Sequence, residues 1–123
     1  MVCGVGIDSV EIARIRKAMG RRAWLERLFS GSELDRLRER GFPAESVAGH
    51  FAAKEAVGKA LGLSMCMGDF SAIEIEGQGE RPRAKLSAKL KRKVDFSSSD
   101  VMHISVSHDK GRAVALALWE RRE

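Results

Sequence analysis

The sequence predicts an α+β fold in which an antiparallel sheet packs against a long central helix and shorter helices. Three observations carry that expectation. A helical pattern runs unbroken from Ala44 to Leu61. β-type runs rich in Val and Ile lie near both ends of the chain, and short helical patterns fill the stretch between the first run and the long helix. The 123 residues suit one domain, residues 1–123, large enough to bury roughly two-thirds of its unfolded surface.

Taken in order, Val2 to Val10 reads as a strand with Gly4 and Gly6 inside it, and strand glycines mark close approach of another backbone or a ligand. Asp8, near its end, is either a helix cap or a carboxylate held at a strand terminus. Glu11 to Met19 has helical spacing, with Ile12, Ile15 and Met19 inward and Arg14, Lys17 and Arg21 forming an outward basic stripe. Ala23 to Phe29 forms a short amphipathic helix. Ser30-Gly31-Ser32-Glu33 has the Ser-x-x-Glu form of a capping box and opens a further helix to about Arg40. Gly41-Phe42-Pro43 breaks it.

The long helix follows, with Pro43 at its start and Gly62 in the C′ place. Residues four apart share a face. Ala48, Ala52, Ala56 and Ala60 make one apolar row, and Gly49, Ala53, Val57 and Leu61 a second. His50, Lys54, Gly58 and Gly62 form the expected polar edge. The fourth row begins as core with Val47 and Phe51 and ends in Glu55 and Lys59. That ending is either an ordinary i,i+4 ion pair or a semi-buried carboxylate, which needs a cation or a chemical role.

Beyond Gly62, Ser64 to Gly68 reads as a loop, Phe70 to Glu76 as a strand ended by Gly77-Gln78-Gly79, and Arg83 to Leu86 as a second short strand. Leu86 to Val94 has helical spacing and a basic outer face. Ser97 to Asp100 is a loop. Val101 to Ser107 and Arg112 to Trp119 form a hairpin through Asp109-Lys110-Gly111.

Hydrophobic residues make up 44% of the chain and charged residues 32%, as in soluble globular proteins, while the net charge of +5 favours an acidic partner. That partner could be nucleic acid, a membrane surface, a phosphorylated ligand or an acidic protein. Cys3 and Cys66 have no metal or redox spacing and read as small buried residues in a reducing compartment. No apolar run approaches the roughly 20 residues of a membrane span, and Asp8 interrupts the N-terminal run too early for a signal peptide. A cytoplasmic protein is expected. There is no zinc spacing, Walker-A loop, nucleophile elbow or aromatic-basic strand of the kind that reads single-stranded RNA.

Three segments remain: Gly6-Ile7-Asp8-Ser9-Val10-Glu11-Ile12, then Phe51 through Gly62, then Ile104-Ser105-Val106-Ser107-His108. In this order and spacing they resemble the holo-[acyl-carrier-protein] synthase family, the small class of 4′-phosphopantetheinyl transferases, over nearly the whole chain. The resemblance implies the 4′-phosphopantetheinyl transferase-like fold. It implies transfer of phosphopantetheine from coenzyme A to a serine of apo acyl carrier protein, with release of adenosine 3′,5′-bisphosphate, as a step in fatty-acid biosynthesis. Asp8 and Glu55 fall on the family's Mg²⁺ ligands, and one or two carboxylates with waters and phosphate oxygens suit that ion. Lys59 falls on its phosphate-contacting lysine, and Ser107 and His108 on the segment lying against the pyrophosphate. Asp8, Glu55 and Lys59 are thus the candidate catalytic residues. Arg14, Lys17 and Arg21 become the dock for an acidic carrier helix. Small relatives are homotrimers with coenzyme A between subunits.

The chain departs from the family at three places. His50 stands where relatives carry an arginine before the Phe-x-Ala-Lys-Glu motif, and Arg81-Pro82 replaces a Lys-Pro turn while keeping a cation. Arg112 lies near the place of a usual tyrosine. His50, Arg81 and Pro82 remain candidate substrate contacts. Two rival readings are a basic RNA-associated module using Arg14, Arg21, Lys91 and Arg92, and a catalytically retired homologue kept for its interactions. The first leaves Asp8 and Glu55 without a role.

Overall fold

The computed structural model describes residues 1–64, 67–77 and 81–123. Its elements in chain order are β1 (Val2–Glu11), α1 (Ile12–Ala18), α2 (Arg22–Leu28), α3 (Gly31–Glu39) and α4 (Ala44–Ala60). A 3₁₀ segment (Met67–Ala72) follows, then β2 (Ile73–Glu76), β3 (Arg83–Leu86), α5 (Ala88–Val94), β4 (Asp100–His108) and β5 (Arg112–Arg121). The expected loop at Met65-Cys66 and the Gln78-Gly79-Glu80 turn lie outside the described residues.

The β4–β5 hairpin forms as its sequence predicts, and β1 adds antiparallel to β5, giving the sheet order β1-β5-β4. Asp8 stands opposite Ala115, and Ile7 opposite Leu116. Strand alternation then sorts the faces. Ala113, Ala115 and Ala117 point inward and are fully buried, while Val114 and Leu116 point out. β2 and β3 pair separately as a second, two-stranded sheet.

Helix α4 lies across the inner face against β1 and β5. Its alanine rows and Val57 are buried, and small side chains on both partners let the backbones meet. The glycines of β1 belong to that contact. A Cβ on Gly4 would sit 1.9 Å from the Ala60 carbonyl oxygen, and one on Gly6 2.0 Å from that of Ala56. Helix α4 ends as expected, in a Schellman motif: Gly62 takes φ +72°, its N–H donates to Lys59, and the Leu63 N–H donates to Gly58.

Two expectations need correcting, and one cause explains both. The polar edge of α4 is not solvated, for His50, Lys54 and Gly58 are all buried. The Lys54 ammonium donates to Glu33 Oε1 at 2.6 Å, to the Phe70 carbonyl at 2.9 Å, and to the Ile73 carbonyl. Glu33 is the capping residue of α3, receiving the Ser30 N–H at 3.0 Å, and its second oxygen receives the Ile75 N–H at 2.9 Å. Phe70 to Ala72 therefore coils in the 3₁₀ segment, with the Phe70 carbonyl on the ammonium, and the strand begins only at Ile73.

Lys54 and Glu33 side chains both have 0% exposure. Removing one partner strands a buried charge, whereas removing both does not. Lys54→Met or Glu33→Leu alone should each cost roughly 3–5 kcal/mol. The double substitution should recover most of that loss in urea denaturation; additive costs would show that the pair does not act as a unit.

Candidate functional site

The inward alternation of β1 that places Gly4 and Gly6 under α4 also places Asp8 on that side. Asp8 is not a helix cap: α1 starts from Glu11, with no side-chain cap, and Asp8 lies within the β1–β5 ladder. It meets α4 near the helix C-terminus, where the Lys59 ammonium sits 3.2 Å from Asp8 Oδ1 and donates to the Ile7 carbonyl at 2.9 Å. Lys59 thus pairs across the helix–strand contact and not with Glu55 one turn earlier. Among the described residues no ion pair reaches Glu55.

Glu55 is half-buried, and its carboxyl is pushed above the usual carboxylate range. Burial is the main cause and the charge of Asp8 the second, with Lys59 opposing both. A half-buried carboxyl whose ionisation is opposed by a neighbouring carboxylate marks a place for positive charge. Among the described residues no group of three or more His, Cys, Asp or Glu side chains could hold a metal ion. A pair of carboxylates would suit a hard cation that keeps waters and takes further oxygens from a phosphate.

Asp8 and Glu55 open onto a cleft of about 830 Å³ walled by Arg14 and Lys17 of α1 and by Arg21 at the start of α2, with Trp24 and Phe51 at its base. The aromatic base is fixed by a row of contacts. Trp24 packs on Phe51 at 5.7 Å between ring centroids, and Phe51 stacks on Phe70 at 5.6 Å. The cations divide by partner. Arg16 reaches Glu45 at 4.0 Å and Arg22 holds Glu26 at 3.0 Å, while Arg14, Lys17 and Arg21 make no ion pair among the described residues. The predicted stripe is thus open to an outside anion on the side of the cleft.

The other candidates lie elsewhere in the chain. His50, Pro82 and His108 line a second cleft of about 330 Å³ together with Arg40, Glu45 and Glu76. The His50 Nδ1–H donates to the Ser46 carbonyl at 2.8 Å. Ser107 is exposed on the outer face of the sheet, opposite Val114, and Arg81 is exposed outside both clefts. Sequence reasoning left Arg112 without a role. Its Nε donates to Ser9 Oγ at 2.8 Å, tying down the residue beside Asp8. It also missed Trp24 as a cleft residue, since a half-buried tryptophan on a short helix carries no local sign of which cavity it faces.

Residues 4–118 match the ACPS family, described as the 4′-phosphopantetheinyl transferase superfamily. The chain is 40% identical over 122 residues to the holo-[acyl-carrier-protein] synthase of Clostridium kluyveri, covering 98% of this chain and 91% of that one. It superimposes on a Bacillus anthracis holo-(acyl-carrier-protein) synthase in complex with CoA (3′,5′-ADP), with a TM-score of 0.78 and 32% identity over 99% of both chains. A Helicobacter pylori holo-[acyl-carrier-protein] synthase in complex with coenzyme A gives a TM-score of 0.77 and 32% identity, covering 94% of this chain and 99% of that one.

Burial lowers the pKa of His50, against a smaller opposing effect of the Ser46 hydrogen bond. The unfolded chain therefore takes up a proton at about pH 6.5, where the folded chain does not. Stability should fall as pH drops below about 6.5, and His50→Gln should flatten that fall in urea titrations at pH 7.5, 6.5 and 5.5. Equal slopes in both proteins would show that the imidazole is not held neutral.

Proposed function

The chain belongs to the holo-[acyl-carrier-protein] synthase family of 4′-phosphopantetheinyl transferases, and we propose on that premise that it makes holo-acyl carrier protein. It moves the 4′-phosphopantetheine group from coenzyme A to a serine of the apo carrier. The serine oxygen forms a new bond to the β-phosphorus, the bond from that phosphorus to the nucleotide phosphate breaks, and adenosine 3′,5′-bisphosphate leaves with the electron pair. One observation supports the reading most: a carboxylate pair and three cations without an ion pair among the described residues share a single cleft. The first suits a cation and a pyrophosphate, the second an acidic protein.

Asp8 and Glu55 would hold Mg²⁺, whose chemistry when bound is to neutralise charge building on the pyrophosphate. The ammonium of Lys59 is close enough to that pair to meet a phosphate oxygen. Arg14, Lys17 and Arg21 would orient the carrier so that its serine enters beside Asp8, over the apolar floor of Trp24 and Phe51. His50, Arg81, Pro82, Ser107 and His108 are assigned to the nucleotide end of coenzyme A.

Within one chain those residues do not share the cleft of Asp8 and Glu55. A homotrimer with coenzyme A between subunits accounts for this separation, since the second cleft of one copy would complete the first cleft of the next. The outer sheet face supports it. Val5 and Ile7 of β1 and Val114 and Leu116 of β5 stand exposed side by side, an apolar surface that other copies would cover. The whole chain, residues 1–123, acts as one transferase domain. No described helix is long and apolar enough to cross a membrane, and we place the reaction in the cytoplasm, in lipid biosynthesis.

Intact-mass spectrometry of an apo acyl carrier protein, incubated with this protein, coenzyme A and Mg²⁺, should show a gain of one phosphopantetheine. Asp8→Ala and Glu55→Gln should each slow the gain by roughly a hundredfold or more while preserving the fold. Near-normal turnover in either variant contradicts the site assignment, and no gain on any carrier makes the chain a retired homologue.

Charge reversal at Arg14 and Arg21 should raise the KM for carrier protein, most strongly at low salt, and leave the KM for coenzyme A unchanged. A carrier KM indifferent to both substitutions would move the dock elsewhere.

A further inference from the structure

We propose that Lys59 is the resident counter-cation of Asp8, so that a divalent ion enters the carboxylate pair by displacing the lysine ammonium. The proposal rests on the cation site described above and adds a competitor within the chain itself.

Lys59 has two ways to lie. One turn back on its own helix is Glu55, at the i,i+4 spacing that commonly gives an ion pair. Its ammonium instead crosses to β1, where it finds two acceptors at once, the Ile7 carbonyl at 2.9 Å and Asp8 Oδ1 at 3.2 Å. Gly6 makes that path available. A Cβ there would lie 2.9 Å from the Lys59 Cβ, so the glycine lets the lysine stem run close over the strand. Glu55, which no ion pair reaches among the described residues, stays half-buried beside the ion-paired Asp8.

The two members of the pair differ in freedom. The Asp8 side chain is 16% exposed and that of Lys59 52%, so the carboxylate is held while the ammonium can swing into solvent on its flexible stem. An ion pair with one exposed member is weak enough to be exchanged. A divalent ion that takes Asp8 and Glu55 together replaces one ammonium with a charge able to satisfy both carboxylates. The released ammonium is then beside the site and unpaired, ready for a phosphate oxygen. Lys59 would thus serve the carboxylate before the ion arrives and the phosphate afterwards.

The test is a titration with Mn²⁺ alone, followed by electron paramagnetic resonance, on the full chain without coenzyme A or carrier. Lys59→Met, with Lys59→Gln as a second variant, should bind Mn²⁺ roughly three- to tenfold more tightly than the unaltered protein, the size expected for removing one partly exposed ion pair. In an Asp8→Asn background the same lysine substitution should give no gain, because the contested oxygen is gone. Unchanged or weaker affinity in both lysine variants would overturn the proposal. An equal gain in the Asp8→Asn background would overturn it too, since it would reflect only the general field of a nearby positive charge acting on Glu55. The titration uses no substrate, so the two readings fail separately. Tighter binding without phosphopantetheine transfer would sink the activity and leave the exchange standing; transfer without tighter binding would sink the exchange alone.

Discussion

The direct contact of the α4 backbone with β1 is the constraint on which the rest of the structure depends. Any side chain at Gly4 or Gly6 would occupy the space of an α4 carbonyl oxygen, at about half of a normal van der Waals separation. Bare strand glycines and a row of helix alanines are therefore two halves of one requirement. Close approach matters less for the energy of burying small residues than for what it aligns. Asp8 follows Gly6 by two places on the same strand face, and Glu55 and Lys59 flank Ala56 and Ala60 on the helix. A strand standing farther off would keep every one of these residues and lose the cluster.

A second constraint acts on the opposite side of α4. Lys54 and Glu33 form a fully buried ion pair that also collects two carbonyls and a strand N–H. Desolvating two charges is expensive, and a well-packed apolar pair of equal volume would hold the fold at least as well. What the ion pair supplies is direction. It joins the N-terminus of α3, the middle of α4, the 3₁₀ segment and β2 in one arrangement. The adjacent residues Lys54 and Glu55 thus have separate tasks on different faces of one helix, the first holding the small sheet and the second facing the cleft.

Charge is distributed with similar economy. The chain carries a net +5, yet the arginines around α1 and α2 do not all contribute to an outward field. Arg16 and Arg22 are answered by nearby glutamates, while Arg14, Lys17 and Arg21, which make no ion pair among the described residues, line the cleft that holds the carboxylate pair. A partner bearing negative charge is thereby drawn toward the place where Asp8 and Glu55 lie, and orientation and encounter rate come from the same residues.

Much of this was legible in the sequence because it is local. The span of α4, the Gly62 terminus, the Ser30–Glu33 capping box, the last hairpin and the basic stripe each depend on residues within a few positions of one another. So did the suspicion about Glu55, since a carboxylate at the end of an apolar row is visible on a helical projection. What tertiary structure decided was the identity of partners distant in the chain. Whether Lys54 meets water or core depends on Glu33 and the carbonyls of Phe70 and Ile73, and whether Lys59 turns to Glu55 or to Asp8 depends on how near β1 comes. Periodicity reports which face a residue occupies. It does not report what is packed against that face, and a buried charge is tolerable or ruinous according to that neighbour alone.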